Sequence, residues 1–340
     1  MRYPNVWWAG LLLCALSLGA VASASAATVF KIATLSPEGS FWMEKMREGG
    51  QEVARQTQGR VQFKYYPGGV MGDDKAVIRK MRIGQLQGGA VVGGSLSEFF
   101  GDSQIYGLPM VFTSFAEVDH VRSHMDALVL AGLEKGGIVS FGIAEGGFAF
   151  IMSREAVRTL DDLLRQRVWA PDNDPTTLKA VRGFGITPIP LSLADVRASL
   201  QTGLIDTVAT PPIGAVALQW HTQVRYLLEL PLFYIYGTMG VNTRDFLKLS
   251  PPDQAVTREV MGRVFRDIDR QNRQDNVSAM ETLRKQGIAF VRPSAPELAQ
   301  WHALGAAAMR EVVDAGNISP EFMAIFKQQL DIARSENPKS

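Results

Sequence analysis

Few side chains in this chain could carry catalysis. Its four histidines stand at 120, 124, 221 and 302. His120 and His124 share a helix face at i,i+4, a spacing that can hold zinc, but no glutamate completes a metalloprotease pattern, so a surface or satisfied pair is expected. Cys14 is the only cysteine. It falls in an N-terminal apolar run, and beyond it there is no thiol for a disulfide, a nucleophile or a metal. No Gly-x-Ser-x-Gly elbow, Gly-Lys-Ser/Thr phosphate loop or Gly-x-Gly-x-x-Gly turn occurs. Hydrolytic or redox chemistry would therefore rest on carboxylates alone. Asp73-Asp74 and Asp161-Asp162 lie at predicted helix starts, where the helix dipole favours negative charge, and capping is their expected use. Asp172 and Asp174 flank Asn173 but lack the further oxygen ligands of a calcium loop. Neither a metal nor a cofactor is called for. What remains is apolar: Phe148-Ala149, Trp169, Phe233-Tyr234 and Tyr236 fall near strand ends, where aromatic residues serve a core or a ligand cleft. The glycine pairs at 68–69, 88–89, 93–94 and 146–147 read as turns or close backbone approaches.

The elements that must position these residues are clearest from Arg167 to Pro212. Val168-Trp169-Ala170 is a short strand ended by Pro171, and Asp174-Pro175 supplies an N-cap and a proline at the first helical position. That helix stops at Gly183 and Gly185. Ile186 to Leu191 is extended, Ser192 with Asp195 opens a second helix, Gly203 closes it, and Ile205 to Ala209 is a third strand. Strands alternating with helices predict a parallel sheet with right-handed crossovers, whose ligands sit beyond the carboxyl ends of the strands. Trp169–Asn173 and Thr210–Pro212 are thereby placed side by side at the mouth of a site.

The same order occurs earlier: a strand over 29–33, a helix from about Ser40 to Thr57, a strand over 61–65, a helix after Asp73 ending at Gly84, and a strand over 90–92. Two similar doubly wound α/β domains follow. Strands over 138–144 and 148–152 carry the chain from one domain to the other, and strands over 224–230 and 233–241 carry it back. Ser250-Pro251-Pro252 starts a helix of about 35 residues, long for a globular domain, as expected if it spans both. The boundaries are residues 28–147 plus about 238–270 for the first domain, and 148–237 plus about 271–335 for the second. Residues 1–27 read as a secretory signal peptide, with Arg2, an apolar run from Trp7 to Val21, and Ala24-Ser25-Ala26 for cleavage. Leu12 and Leu13 before Cys14 do not suit a lipoprotein signal. With a formal net charge of +1 and 46% apolar residues, nothing asks for nucleic acid. An exported, periplasmic monomer is expected.

From about Thr28 to Ala333 the chain resembles the solute receptors of tripartite ATP-independent periplasmic (TRAP) transporters, of the DctP type. The resemblance is carried by Lys31-Ile32-Ala33 with Ser36-Pro37-Glu38-Gly39, by Tyr66-Pro67-Gly68-Gly69-Val70-Met71-Gly72-Asp73-Asp74, and by Gly107-Leu108-Pro109-Met110-Val111-Phe112. Thr159-Leu160-Asp161-Asp162-Leu163, Ala198-Ser199-Leu200-Gln201-Thr202-Gly203-Leu204-Ile205-Asp206 and Leu249-Ser250-Pro251 continue it. It implies two α/β domains of the periplasmic binding protein kind, with a central cleft that closes on a small organic solute. The small and large membrane subunits of an ion-gradient-driven transporter then receive that solute, without catalysis.

Departures from the family's pattern bear on the solute. The family's arginine after the Thr-Leu-Asp-Asp-Leu segment pairs with the solute's carboxylate, and that position is Trp169 here. A second arginine after a Gly-Phe pair becomes Ala149, and an asparagine before a proline becomes Thr210. Charge-assisted bonds of this kind are worth roughly 1.5–3 kcal/mol each. A cleft offering a ring face and one N–H instead should favour an apolar or aromatic solute, or a cation over the ring. Two other sources of anion binding stay open, Arg167 on the same strand face and the backbone amides at the Asp174 helix start. The expected lining is Trp42, Val92, Gly93, Phe148, Ala149, Trp169, Asn173, Thr210, Phe233 and Tyr236. A receptor that signals to a membrane sensor, or an exported α/β enzyme, are the alternative functions.

Overall fold

The computed structural model describes residues 27–336, so the expected leader lies outside them but for its last residue. β1 (Thr28–Thr34), α1 (Phe41–Gln56), β2 (Val61–Tyr66), α2 (Asp74–Arg82) and β3 (Gly88–Val92) open the chain in the expected order. Side-chain oxygens satisfy the helix starts: Ser40 Oγ accepts from Met43 N–H at 3.4 Å and Asp73 Oδ1 from Ala76 N–H at 2.8 Å. Two 3-10 turns, Gly93–Glu98 and Gly101–Gly107, lead to α3 (Phe115–Lys135), β4 (Ile138–Ser140) and β5 (Ala144–Ser153). The second α/β run is α4 (Leu160–Leu164), β6 (Trp169–Pro171), α5 (Pro175–Gly183), β7 (Ile189–Leu191), α6 (Val196–Thr202) and β8 (Thr207–Thr210). The chain ends with α7 (Pro212–Ala217), β9 (Tyr226–Asn242), α8 (Thr243–Phe246), α9 (Pro251–Lys285), β10 (Ala289–Val291), α10 (Ala295–Asp314) and α11 (Pro320–Glu336).

One sheet runs β2-β1-β3-β9-β5-β8, with β4 and β10 also bonded to β9. β1 is parallel to β2 and β3, whereas β9 is antiparallel to β3, β4 and β5. β9 serves both halves: Gly237–Val241 pairs with β3, and Tyr226–Leu228 pairs with β10. Two strands were expected over 224–241, split near Pro231, yet they form this single 17-residue strand. Pro231 stands opposite Phe150, within shifts of register between Ala149 and Met152. A bulge needs no ladder bond from proline's missing N–H, so the strand passes through. The strand expected over 138–144 is only β4, and β5 begins at Ala144. Pro212, expected only to stop β8, also occupies the first turn of α7.

β5 and β9 cross between the halves together, and α9 straps the crossing. Register shifts between Glu145 and Gly147, where Gly147 has φ +100° and a Cβ would overlap the Asn276 amide. Asn272 Nδ2 donates to Glu145 O at 2.6 Å and Asn276 Nδ2 to Gly146 O at 2.8 Å. Toward its start, α9 holds Arg60 on Asp253 at 2.8 Å, and toward its end Leu283 joins Val196 and Leu200 in the second half's core. The long helix thus spans both halves. Beside it the fully buried Glu145 accepts from Arg273 at 2.6 Å and from the Tyr234 hydroxyl at 3.1 Å. Arg122 bonds Asp126, Asp269 and Ile143 O, so the buried charges here are paired.

α10 packs on α5 and α11 on α3. The last helix, grouped by sequence with the second domain, returns to the α3 side: Phe326 packs on Phe112 at 5.7 Å and Arg334 bonds Glu117 at 3.1 Å.

Candidate functional site

β6 and β7 pair in parallel, but β6 meets β8 through a single bridge, Val168 to Thr207. Past that bridge the two strands line a cavity of about 170 Å3 instead of completing a ladder, with Trp169–Asn173 reaching it from one side and Thr207–Pro211 from the other. The two segments are the pair that strand alternation placed at a site's mouth. Ala149, Leu232 to Tyr236 and the Val92–Gly94 turn complete the walls. A second chamber of about 200 Å3 extends toward Trp42 and shares Asp74, Val92, Ile235 and Tyr236 with the first.

Nine of the ten expected lining residues meet these two chambers; Trp42 lines only the second. Phe148 does not line either, because its ring packs on Phe115 at 4.8 Å and Tyr234 at 5.8 Å. Neighbours along a strand face opposite sides, and Ala149 takes the cavity side. Trp169 is 7% exposed, its ring edge-on to Trp220 at 5.3 Å. Its indole N–H donates to Leu191 O at 3.1 Å, leaving the ring and not the donor for a solute. Tyr236 lies over Gly93, donates its hydroxyl to Ser103 O, and is kept neutral by burial, which pushes its phenol up. Gln104 Nε2 holds the turn by donating to Gly93 O at 3.0 Å and Gly94 O at 3.2 Å.

The carboxylates are the part that sequence reading assigned elsewhere. Asp73, Asp74, Asp172 and Asp174 all line the first chamber, and among the described residues no arginine, lysine or histidine lines either chamber. Asp74, 2% exposed, accepts from Val92 N–H at 3.1 Å and from Ser95 Oγ at 3.0 Å. Burial raises its carboxyl to about 6 against those bonds. Asn173 Nδ2 donates to the same Ser95 Oγ at 2.8 Å, which ties the turn after β3 to the turn after β6 across the cleft. Lys75 Nζ, 3.6 Å from Asp172 Oδ2, makes a second crossing. Asp174 caps α5, accepting from Thr177 N–H at 3.0 Å and Thr177 Oγ1 at 2.7 Å, and burial pushes its carboxyl up. The amides at that helix start therefore face a carboxylate already. Arg167 is committed to Asp206 at 2.9 Å with its side chain 56% exposed, away from the lining. The adjacent Asp172, Asn173 and Asp174 were the one visible signal of this arrangement. Among the described residues, no three His, Cys, Asp or Glu gather to hold a metal ion.

The model of the bacterial extracellular solute-binding proteins, family 7 (DctP), matches residues 32–315. The chain belongs to this family. The family 7 receptor is 23% identical over 260 residues to the sialic acid-binding periplasmic protein SiaP of Vibrio cholerae, covering 75% of this chain and 79% of that one. It is 29% identical over 209 residues to the 2,3-diketo-L-gulonate-binding periplasmic protein YiaO of Escherichia coli, covering 59% and 62%. Among solved structures it resembles DctP7 of Bordetella pertussis, an extracytoplasmic solute receptor binding pyroglutamic acid, with TM-score 0.80, 21% identity and coverage of 91% and 100%. A TRAP periplasmic solute-binding protein of Desulfovibrio salexigens with bound orotic acid matches with TM-score 0.79, 16% identity and coverage of 90% and 99%. These likenesses show the two-domain α/β fold. No helix among the described residues is long and apolar enough to cross a membrane.

Proposed function

We propose that this family 7 receptor captures a small organic solute between its two domains and delivers it to the small and large membrane subunits of an ion-gradient-driven TRAP transporter, acting as a periplasmic monomer without covalent chemistry. Domain boundaries near residues 147 and 237 fit the paired crossing of β5 and β9, with α11 on the first domain's side. Closure about those strands is how such a fold couples binding to shape, and the solute shifts the balance only by its preference for the closed form.

The cleft, on this reading, works without an arginine clamp. The observation that carries it is the lining: carboxylates and rings, with no basic side chain in either chamber. Solutes named for the related structures, pyroglutamic and orotic acids, would bring an anion to a lining that holds carboxylates and no basic side chain, with Lys75 outside it 3.6 Å from Asp172. Trp169, Phe233 and Ala149, with Val92, Gly93, Thr210 and Tyr236, present apolar surface and suit an apolar or aromatic solute body. Asn173 serves closure through Ser95, and Trp42 marks the outer chamber.

Thermal-shift titration checks this reading. Pyroglutamate, orotate and D-glucuronate at millimolar concentration should leave Tm unchanged, whereas a true solute raises it by mass action. A saturable rise of several degrees with any of the three acids would overturn the clamp-free cleft.

A further inference from the structure

A tryptophan side chain is a hydrogen-bond donor only, and a buried indole N–H ordinarily finds an acceptor. Trp42 donates to Asn272 Oδ1 at 3.0 Å, Trp169 to Leu191 O at 3.1 Å and Trp301 to Arg158 O at 3.0 Å. Trp220 is the exception. It opens the 3-10 turn that follows α7 and is 2% exposed, yet its Nε1 has no acceptor among the described residues. Nor is that nitrogen sealed in the core. Asp172 Oδ1 is the one described side-chain polar atom that is both shut away and unpaired, so the Trp220 N–H keeps open space beside it. Of the two chambers Trp220 lines only the first, and that is where its N–H has room for an acceptor from outside the chain.

Two properties of the chamber narrow the kind of acceptor. Its lining carries Asp73, Asp74, Asp172 and Asp174 and, among the described residues, no basic side chain. A carboxylate oxygen would reach the N–H only by facing like charges, whereas a neutral oxygen meets no such opposition. The other property is size and surface. The chamber holds about 170 Å3, and Ala149, Leu232 and Phe233 give it apolar walls. An apolar protein cavity of about 150 Å3 takes up one benzene. The Trp169 ring, edge-on to Trp220 at 5.3 Å, sets apolar surface directly beside the donor.

We propose that the solute is a small neutral ring compound bearing an oxygen acceptor, a carbonyl or a hydroxyl, and that the Trp220 N–H donates to that oxygen. Trp220 is thereby a specificity-determining residue of the cleft. A hydrocarbon of the same shape would fill the apolar space but leave a buried donor unmet, which is the stronger form of discrimination. This deepens the receptor reading and rests on it.

Four compounds on one frame test it: acetophenone, 1-phenylethanol, ethylbenzene and benzoate, titrated by calorimetry at pH 7.5. The ketone or the alcohol should bind at least tenfold tighter than ethylbenzene, and benzoate should not bind. Trp220→Phe, which keeps a ring and removes the N–H, should cost the oxygenated compound at least fivefold and ethylbenzene less than twofold. The Trp220 indole cross-peak in 1H–15N spectra, assigned on the unaltered protein, reads the same bond without a variant. It should move downfield on saturation with the ketone or the alcohol and hold its proton shift with ethylbenzene. Oxygenated and hydrocarbon compounds binding alike, or a Trp220 cross-peak that does not move, would overturn the acceptor while leaving the apolar cleft standing. Binding by benzoate alone, or by none of the four, would overturn both.

Discussion

Replacing Asp74 with asparagine should stabilise the protein near neutral pH and leave it nearly unchanged below pH 4. The carboxylate is 2% exposed, and burial holds it up to about 6 from an ordinary 3.8, its bonds from Val92 and Ser95 notwithstanding. At about 1.4 kcal/mol per tenfold change in proton affinity, that displacement corresponds to about 3 kcal/mol. The sign follows from which state keeps the proton. Below pH 4 the folded and unfolded chains both hold it, and Asp74 adds no difference. Between about pH 4 and 6 the unfolded chain releases it while the folded chain keeps it, so stability falls as pH rises. Above 6 the folded chain carries a buried anion and the full cost is present. Asparagine offers an equivalent oxygen to Val92 and Ser95 without the charge, and gives up at most about 1 kcal/mol of helix-start electrostatics in α2. The net expectation is a gain of about 2–3 kcal/mol at pH 7.5, shrinking to near zero at pH 3.5. Urea unfolding of both proteins from pH 3.5 to 8 measures it, the difference between them cancelling every other titrating group. An Asp74→Asn protein less stable than the parent at pH 7.5 would refute the reasoning, since the carboxylate would then be stabilising as an ion.

Two further outcomes follow from the cleft. Trp169→Ala removes a buried ring and its edge contact with Trp220, and should cost about 3 kcal/mol by chemical denaturation; a loss under about 1 kcal/mol would show that the ring is not a packed wall. Gly94→Ala places a methyl group against the Asp174 carboxylate across the cleft. It should enlarge the radius of gyration in solution scattering and weaken solute binding, and cost about 1 kcal/mol where the buried Asp174 cap of α5 has to give way instead. An unchanged radius with unchanged binding would mean that the closed form does not need this approach.

Much of the fold was legible because its signals are local. Ser40, Asp73, Asp174 and Ser250 cap helices whose amides lie three residues on, and Gly203 ends α6 in the left-handed region, φ +76°. A cap and its helix are neighbours in sequence, so residue type alone carries the information. The match to family 7 rests on the same kind of evidence extended along the chain. Where reading failed, the deciding partner was distant. Whether Phe148 or Ala149 faces the cleft depends on the bulge at Glu145–Gly147 that sets the register of β5 against β9. The Trp169 N–H looked available until β6 paired with β7 and brought Leu191 O to it. Arg167 looked like a substitute clamp until Asp206, 39 residues away, took it.

The chain's own chemistry, then, determined what this protein lacks and how it is built: no thiol beyond the N-terminal run, no nucleophile motif, and two runs of alternating strand and helix with a tryptophan at position 169. Tertiary structure alone decided the character of the cleft. Asp74 and Asp174 are caps when read locally, and Asp172 is merely a turn residue. They come to share one lining only because the turns after β3 and β6 meet, with Asn173 donating to Ser95 78 residues away. Capping is a bond between neighbours, whereas an electrostatic field sums over everything brought near, and only folding decides what is near.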